Sequence, residues 1–192
     1  MPTPIVIVAL GDSTTAGTPL YLSPLEAPPN GRGDERSQYA HWLMQTHPDW
    51  RVLNRGVNGE RSDQIAARFD RDVVSARPAA VIAQLDAIYR HAAAQHIPVV
   101  AGSIVPYNTA TPAQNQAMHA VNAWMAGDAS KSAAMAFADT RRAAAAPGDL
   151  DRLAGSPDGL HPDIEGYRRM ADAIEPVLAA RLARLRPAPL RP

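Results

Sequence analysis

The sequence predicts an α/β domain built on a parallel sheet with helices on both faces. Three observations lead there. Short apolar stretches recur at residues 5–10, 51–57, 79–83, 98–104 and 133–138, each the length of a buried strand. Segments with apolar residues at helical spacing separate them, and strand–helix alternation is the mark of a parallel sheet. The first two stretches run into turn residues, Gly11-Asp12-Ser13 and Asn58-Gly59, at the strand ends where such sheets place their ligands.

The elements follow in chain order. After strand 5–10 and its serine turn comes a long loop, residues 18–36, rich in Pro and Gly. Loops of this length in a compact domain are commonly functional. This one is expected to shape a pocket near Ser13, with Tyr21 and Leu22 as walls and Arg32 and Arg36 as charges that can meet an acidic group or simply be solvated. Residues 37–47 read as a helix stopped by Pro48, and Trp42 and Trp50 as packing residues. Ser62 is placed to cap a helix that carries Ile65, Phe69, Val73 and Ala76 and ends at Pro78. Residues 84–96 form the next helix. Thr111 caps another, with Pro112 at its first position and Met118, Val121 and Met125 inside. The last helix starts near Pro162, and Pro176 is expected to kink or divide it. Residues 1–185 read as one domain and 186–192 as a Pro-rich tail.

Composition narrows the function. The chain has 192 residues, a formal net charge of zero and no cysteine. Length allows one sizeable core. No basic stripe marks a nucleic-acid partner. Without cysteine there is no disulfide and no thiol nucleophile. No apolar run is long enough to span a bilayer. The run 5–10 lacks a positive n-region and leads straight into the serine turn, so it reads as a strand and the expected location is cytoplasmic; a leader removed upstream is the alternative. The histidines at 41, 47, 91, 96 and 119 show no ligand spacing, so no metal is expected. Oligomeric state is not legible.

The chemistry rests on a serine and a distant acid–base pair. A serine hydroxyl is a weak nucleophile until a base removes its proton, and the base is usually a histidine held in one tautomer by a carboxylate. Asp158-Gly159-Leu160-His161-Pro162 supplies both groups just before the last helix. The three-residue offset can place Asp158 against Nδ1 while Nε2 faces Ser13. Asp12 reads as a turn or capping residue. No Gly-x-Ser-x-Gly elbow occurs, and Ser103 after Gly102 is followed by Pro106 and Tyr107 where an elbow needs a glycine and a helix.

With these residues in view, the chain resembles the SGNH/GDSL hydrolase family. The resemblance is carried by Gly11-Asp12-Ser13, by the segment Asn54-Arg55-Gly56-Val57-Asn58-Gly59, and by Asp158-Gly159-Leu160-His161-Pro162. It implies a three-layer α/β/α sandwich with a five-stranded parallel sheet of flavodoxin-like order. It also implies a serine ester hydrolase acting on small or medium acyl esters, with no cofactor. Ser13 is then the nucleophile and an oxyanion-hole donor, Gly59 gives a second backbone N–H, and Asp158 and His161 complete the triad. A glycine suits close approach of its N–H to an oxyanion, because no side chain intervenes; Gly56 is the weaker candidate.

One family feature is missing. The family's Gly-x-Asn-Asp segment after the third strand, whose asparagine gives a third oxyanion donor, does not occur. The strand at 79–83 instead meets helix-like sequence directly, so residues 83–86 are expected to form the connection and the third-strand region to be perturbed. Asp86 is no substitute, since a carboxylate repels an oxyanion. Asn108, past the fourth strand, reads as a loop residue ahead of a replacement donor, and Asn54 and Asn58 as structural. An incomplete oxyanion hole is expected. An acyltransferase of the same family, and a fold-retaining variant with impaired catalysis, are the alternatives.

Overall fold

The computed structural model describes residues 3–83 and 86–185, and side-chain surroundings for 3–80 and 88–184. Among the described residues, five strands join one sheet: β1 (Ile5–Gly11), β2 (Trp50–Gly56), β3 (Ala80–Ala83), β4 (Val99–Gly102) and β5 (Met135–Ala138). Their order is β2-β1-β3-β4-β5 and every neighbouring pair is parallel. Parallel neighbours need crossovers. Helices α1 (Ser13–Ala16) and α2 (Tyr39–Thr46) lie between β1 and β2, and α3 (Ser62–Ala67) and α4 (Phe69–Asp72) between β2 and β3. Helix α5 (Asp86–Ala94) precedes β4, and α6 (Pro112–Lys131) precedes β5. Helices α7 (Thr140–Ala144) and α8 (Ile164–Leu185) follow β5.

Strand β1 shows why helices cover both faces. Side chains alternate across a strand. Ile7 and Ala9 join a core with Tyr39 and Leu43 of α2 and Tyr167, Met170 and Ile174 of α8. Val8 and Leu10 join a second core with Ile65, Phe69, Ile88 and Met125 from α3 to α6. All four β1 residues are buried. Each large side chain removed from water contributes about 1.5–3 kcal/mol before chain entropy is counted, so β1 is the seam between two cores.

Some local expectations need correction. Ser62 is the first residue of α3 and Arg61 precedes it as the cap; Gln64 Oε1 accepts from Arg61 N at 2.9 Å. The expected single helix through Ala76 breaks at Arg68, whose backbone leaves helical geometry at φ −102°, ψ 9°. The last helix is continuous from Ile164 to Leu185, so Pro176 does not divide it. Proline there removes one backbone donor, and burial of Ile174, Leu178 and Leu182 on the same face keeps the helix seated. Strand β3 ends at Ala83 and α5 starts at Asp86; the remainder of the expected 83–86 connection, Gln84 and Leu85, lies outside the described residues, as does the tail 186–192. Among the described residues no helix is long and apolar enough to cross a membrane.

Candidate active site

Ser13 is the first residue of α1, immediately past β1. Asp12 caps this helix, its Oδ1 accepting from Thr14 N at 3.0 Å. That is the expected turn role. Burial pushes the Asp12 carboxyl up, against the pull of the Thr14 N–H. The short helix fits tightly against β2: a Cβ on Gly56 would collide with the backbone of Ala16. Gly56 is therefore a packing glycine. Asn54 secures the same junction, donating to Ala16 O at 3.0 Å and to Gln38 Oε1 at 2.7 Å while accepting from Gly56 N at 2.9 Å.

Asp158 and His161 meet as their spacing suggests. Asp158 Oδ2 lies 2.7 Å from His161 Nδ1, and Oδ1 accepts from the backbone N–H of His161 at 2.8 Å and of Leu160 at 2.9 Å. Burial works to raise the Asp158 carboxyl, but the imidazole and these two amides hold it down to about 2. Ser156 ties the turn from inside, donating from Oγ to His161 O at 2.6 Å and accepting from Gly159 N at 2.8 Å. Nothing beyond a turn-forming Ser-Pro-Asp marked Ser156 in the sequence. His161 is 4% exposed, and its Nε2 is buried with no hydrogen-bond partner among the described residues.

Ser13 and His161 line one cavity of about 160 Å³ with Asp12, Thr14, Ile104, Val105, Pro106, Tyr107, Met118 and Leu160. A larger hollow of about 280 Å³ shares Asp12 and Ile104 with it, has Leu10, Ile65 and Ile88 as apolar walls, and carries Glu60, Arg61 and Ser62. The wall at 104–107 follows β4 and was not legible as a site segment; only its position past a strand end pointed to it. Asn122 of α6 braces it, accepting from Ile104 N at 2.7 Å and donating to Ile104 O at 3.0 Å. Ser103 is structural, its Oγ accepting from Arg141 N at 2.7 Å.

Gly59 stands in the turn after β2 at φ +76°, a conformation that disfavours a side chain, yet a Cβ there would meet nothing within 4 Å. The backbone conformation, and not lack of room, calls for glycine. The long loop supports this turn instead of lining the Ser13 cavity. Glu26 Oε1 accepts from Asn58 N and Oε2 from Ser23 N, both at 2.9 Å, and Ser23 Oγ donates to Gly56 O at 2.6 Å. Tyr21 borders a separate hollow beside β2, while its hydroxyl donates to Asn30 O, and Arg36 pairs with Asp34. Neither Tyr21, Leu22, Arg32 nor Arg36 lines the Ser13 cavity. Asn108 is a loop tie: its Oδ1 accepts from Leu153 N at 2.9 Å. Trp50 stacks on His47 with centroids 3.8 Å apart, a packing role. Among the described residues no group of three or more His, Asp or Glu side chains is arranged to hold a metal ion.

Solved structures share this fold. The chain is similar to a GDSL-like lipase from Bacteroides thetaiotaomicron, with 19% identity, 97% of this chain and 93% of that chain covered, and a TM-score of 0.65. It is similar to a catalytic mutant of Axe2, an acetylxylan esterase from Geobacillus stearothermophilus, at 16% identity, 93% and 95% coverage and a TM-score of 0.67. TesA matches at 18% identity, 92% and 99% coverage and a TM-score of 0.66. Such identities speak for fold alone. No curated protein sequence matches the chain. Residues 9–169, most of the chain from the serine turn through the start of α8, match the GDSL-like lipase/acylhydrolase family, and the chain belongs to that family.

Proposed function

We propose that the protein is a serine ester hydrolase acting on small or medium acyl esters through Ser13, His161 and Asp158. One observation carries the reading: a histidine fixed at Nδ1 by Asp158, its Nε2 buried and unpartnered, lines the same cavity as Ser13. An imidazole so held is the neutral Nδ1–H tautomer, whose Nε2 accepts a proton. Ser13 Oγ attacks the ester carbonyl as its proton passes to Nε2. The tetrahedral oxyanion is met by the N–H groups of Ser13 and Gly59. His161 protonates the leaving alcohol, and water removes the acyl group by the same route.

With two backbone donors and no asparagine of a Gly-x-Asn-Asp segment, the oxyanion hole is incomplete. Loss of one donor typically costs about 10²–10³ in rate, so slow turnover is expected. The test is pre-steady-state hydrolysis of a chromogenic short-chain ester, with phosphonate labelling followed by mass spectrometry. A burst and a single adduct on Ser13 are expected, both absent in Ser13→Ala. Full activity in Ser13→Ala, or an adduct elsewhere, refutes the assignment.

A further inference from the structure

The junction of α3 and α4 carries an arginine that an exposed amphipathic helix has no reason to bury. Arg68 is 6% exposed, at the break between the two helices. Its guanidinium reaches four separate groups. Nε donates to Glu60 Oε2 at 2.6 Å, Nη1 to Asp72 Oδ2 at 2.7 Å and to Arg55 O at 2.8 Å, and Nη2 to Gly11 O at 2.9 Å. A planar fork with five donors suits such a set, and a lysine ammonium does not.

The partners are the backbone on which the proposed chemistry hangs. Gly11 O belongs to the peptide plane that leads into Asp12, and a rigid plane carries the constraint on toward Ser13 N. Val57 N also donates to Gly11 O, at 3.2 Å, so β1 and the turn after β2 share this acceptor. Arg55 O lies just before Gly56. Glu60 follows Gly59 and closes its turn, Glu60 N donating to Val57 O at 3.4 Å. One side chain thus grips the serine turn from one side and the Gly59 turn from the other. Two carboxylates balance its charge, and Arg71 secures Asp72 with contacts of 2.7 and 2.9 Å. Burial would raise the Asp72 carboxyl, but hydrogen bonds from Arg71 and Arg68 hold it below its ordinary value.

We infer that Arg68 is a positioning residue that sets the spacing between the backbone N–H groups of Ser13 and Gly59, and so the rate of acyl transfer. The inference rests on the proposed ester hydrolysis. Its signature is a fall in kcat without a matching change in KM, because displacement of a donor by about 1 Å can cost up to about 10² in rate while substrate still binds.

The experiment compares wild type, Arg68→Lys and Glu60→Gln for ester hydrolysis and for the rate of phosphonate capture by Ser13, with the folded fraction of each read by circular dichroism. Arg68→Lys is expected to lower kcat and the capture rate together by about 10–100-fold, with KM within about threefold. Glu60→Gln keeps an acceptor but loses charge, and a drop of about 3–10-fold in both rates is expected. If Arg68→Lys does not fold, Glu60→Gln decides. Unchanged rates in folded variants, or losses that follow the unfolded fraction alone, overturn the inference. A wild type that neither hydrolyses esters nor captures the phosphonate overturns the proposed function, and this inference with it. An active wild type with unaffected variants overturns only the role of Arg68.

Discussion

Replacing Asp158 by asparagine separates geometry from charge at the candidate base. An asparagine Oδ1 can still accept from the N–H groups of His161 and Leu160, now 2.8 and 2.9 Å from Asp158 Oδ1. The turn therefore keeps most of its bonds. The other oxygen, 2.7 Å from His161 Nδ1, becomes an NH2 group. Two donors cannot face each other, so the imidazole adopts the tautomer with Nδ1 as acceptor and Nε2 protonated. That form cannot take the Ser13 proton. The electrostatic part follows from the wild-type carboxyl, moved from 3.8 to about 2. The difference, 3.8 − 2, is about 1.8 pH units, or about 2.4 kcal/mol at 1.36 kcal/mol per unit. With a third of the Asp158 side chain exposed, screening reduces this to about 1 kcal/mol. Lost attraction for the imidazolium thus accounts for at most about fivefold in rate, and the wrong tautomer supplies the rest of an expected fall of about 10³–10⁴ in kcat. A depressed carboxylate pKa adds stability above the unfolded value and loses it as pH falls through the folded value. The stability gap between wild type and Asp158→Asn should therefore close between about pH 4 and pH 2. Stopped-flow hydrolysis and urea titrations across that range provide the measurements. A variant within tenfold of wild-type kcat would remove Asp158 from the triad.

Two further substitutions separate structural from chemical roles. Gly59→Ala keeps the N–H and meets no neighbour, so it should cost about 1–2 kcal/mol in stability through its positive φ with kcat within about fivefold; a hundredfold loss without destabilisation would contradict the conformational account. Asn108→Ala removes one hydrogen bond to Leu153 N and should cost about 1 kcal/mol with little change in kcat, whereas a large rate loss at unchanged stability would make its amide the missing oxyanion donor.

What the sequence disclosed and what it hid divide along physical lines. Local signals were legible. The uninterrupted apolar run of β1 announced a strand buried on both faces, and the three-residue spacing of Asp158 and His161 implied a contact within one turn. Thr111-Pro112 fixed a helix start, and Thr111 Oγ1 does accept from Gln114 N. Features set by distant chain segments were hidden. The loop at 18–36 looked like a pocket wall because of its length, but Ser23 and Glu26 hold the Gly59 turn instead. Gly59 suggested a close approach of its N–H; its backbone angle is a separate requirement for glycine that the sequence did not show. The break at Arg68 was invisible because Phe69 and Val73 continue the helical period through it; the buried guanidinium, satisfied by acceptors from β1 and β2, overrides the pattern. The wall at 104–107 depends on Asn122 from a different element.

The tie at Asn108 has a consequence for how such a fold can be altered. Asn108 N donates to Gly159 O at 2.7 Å, its side chain accepts from Leu153 N, and Asp163 N donates to Gly155 O at 3.0 Å. The segment after β4, the ribbon at Asp149–Leu153 and the turn bearing Asp158 and His161 are cross-braced into one cassette. Grafting any one of the three from a relative would import a mismatched neighbour and tilt the imidazole. Grafting all three together would carry Asp158 and His161 across with their supports, which makes the cassette, more than any single loop, the natural unit of exchange in recombination between relatives.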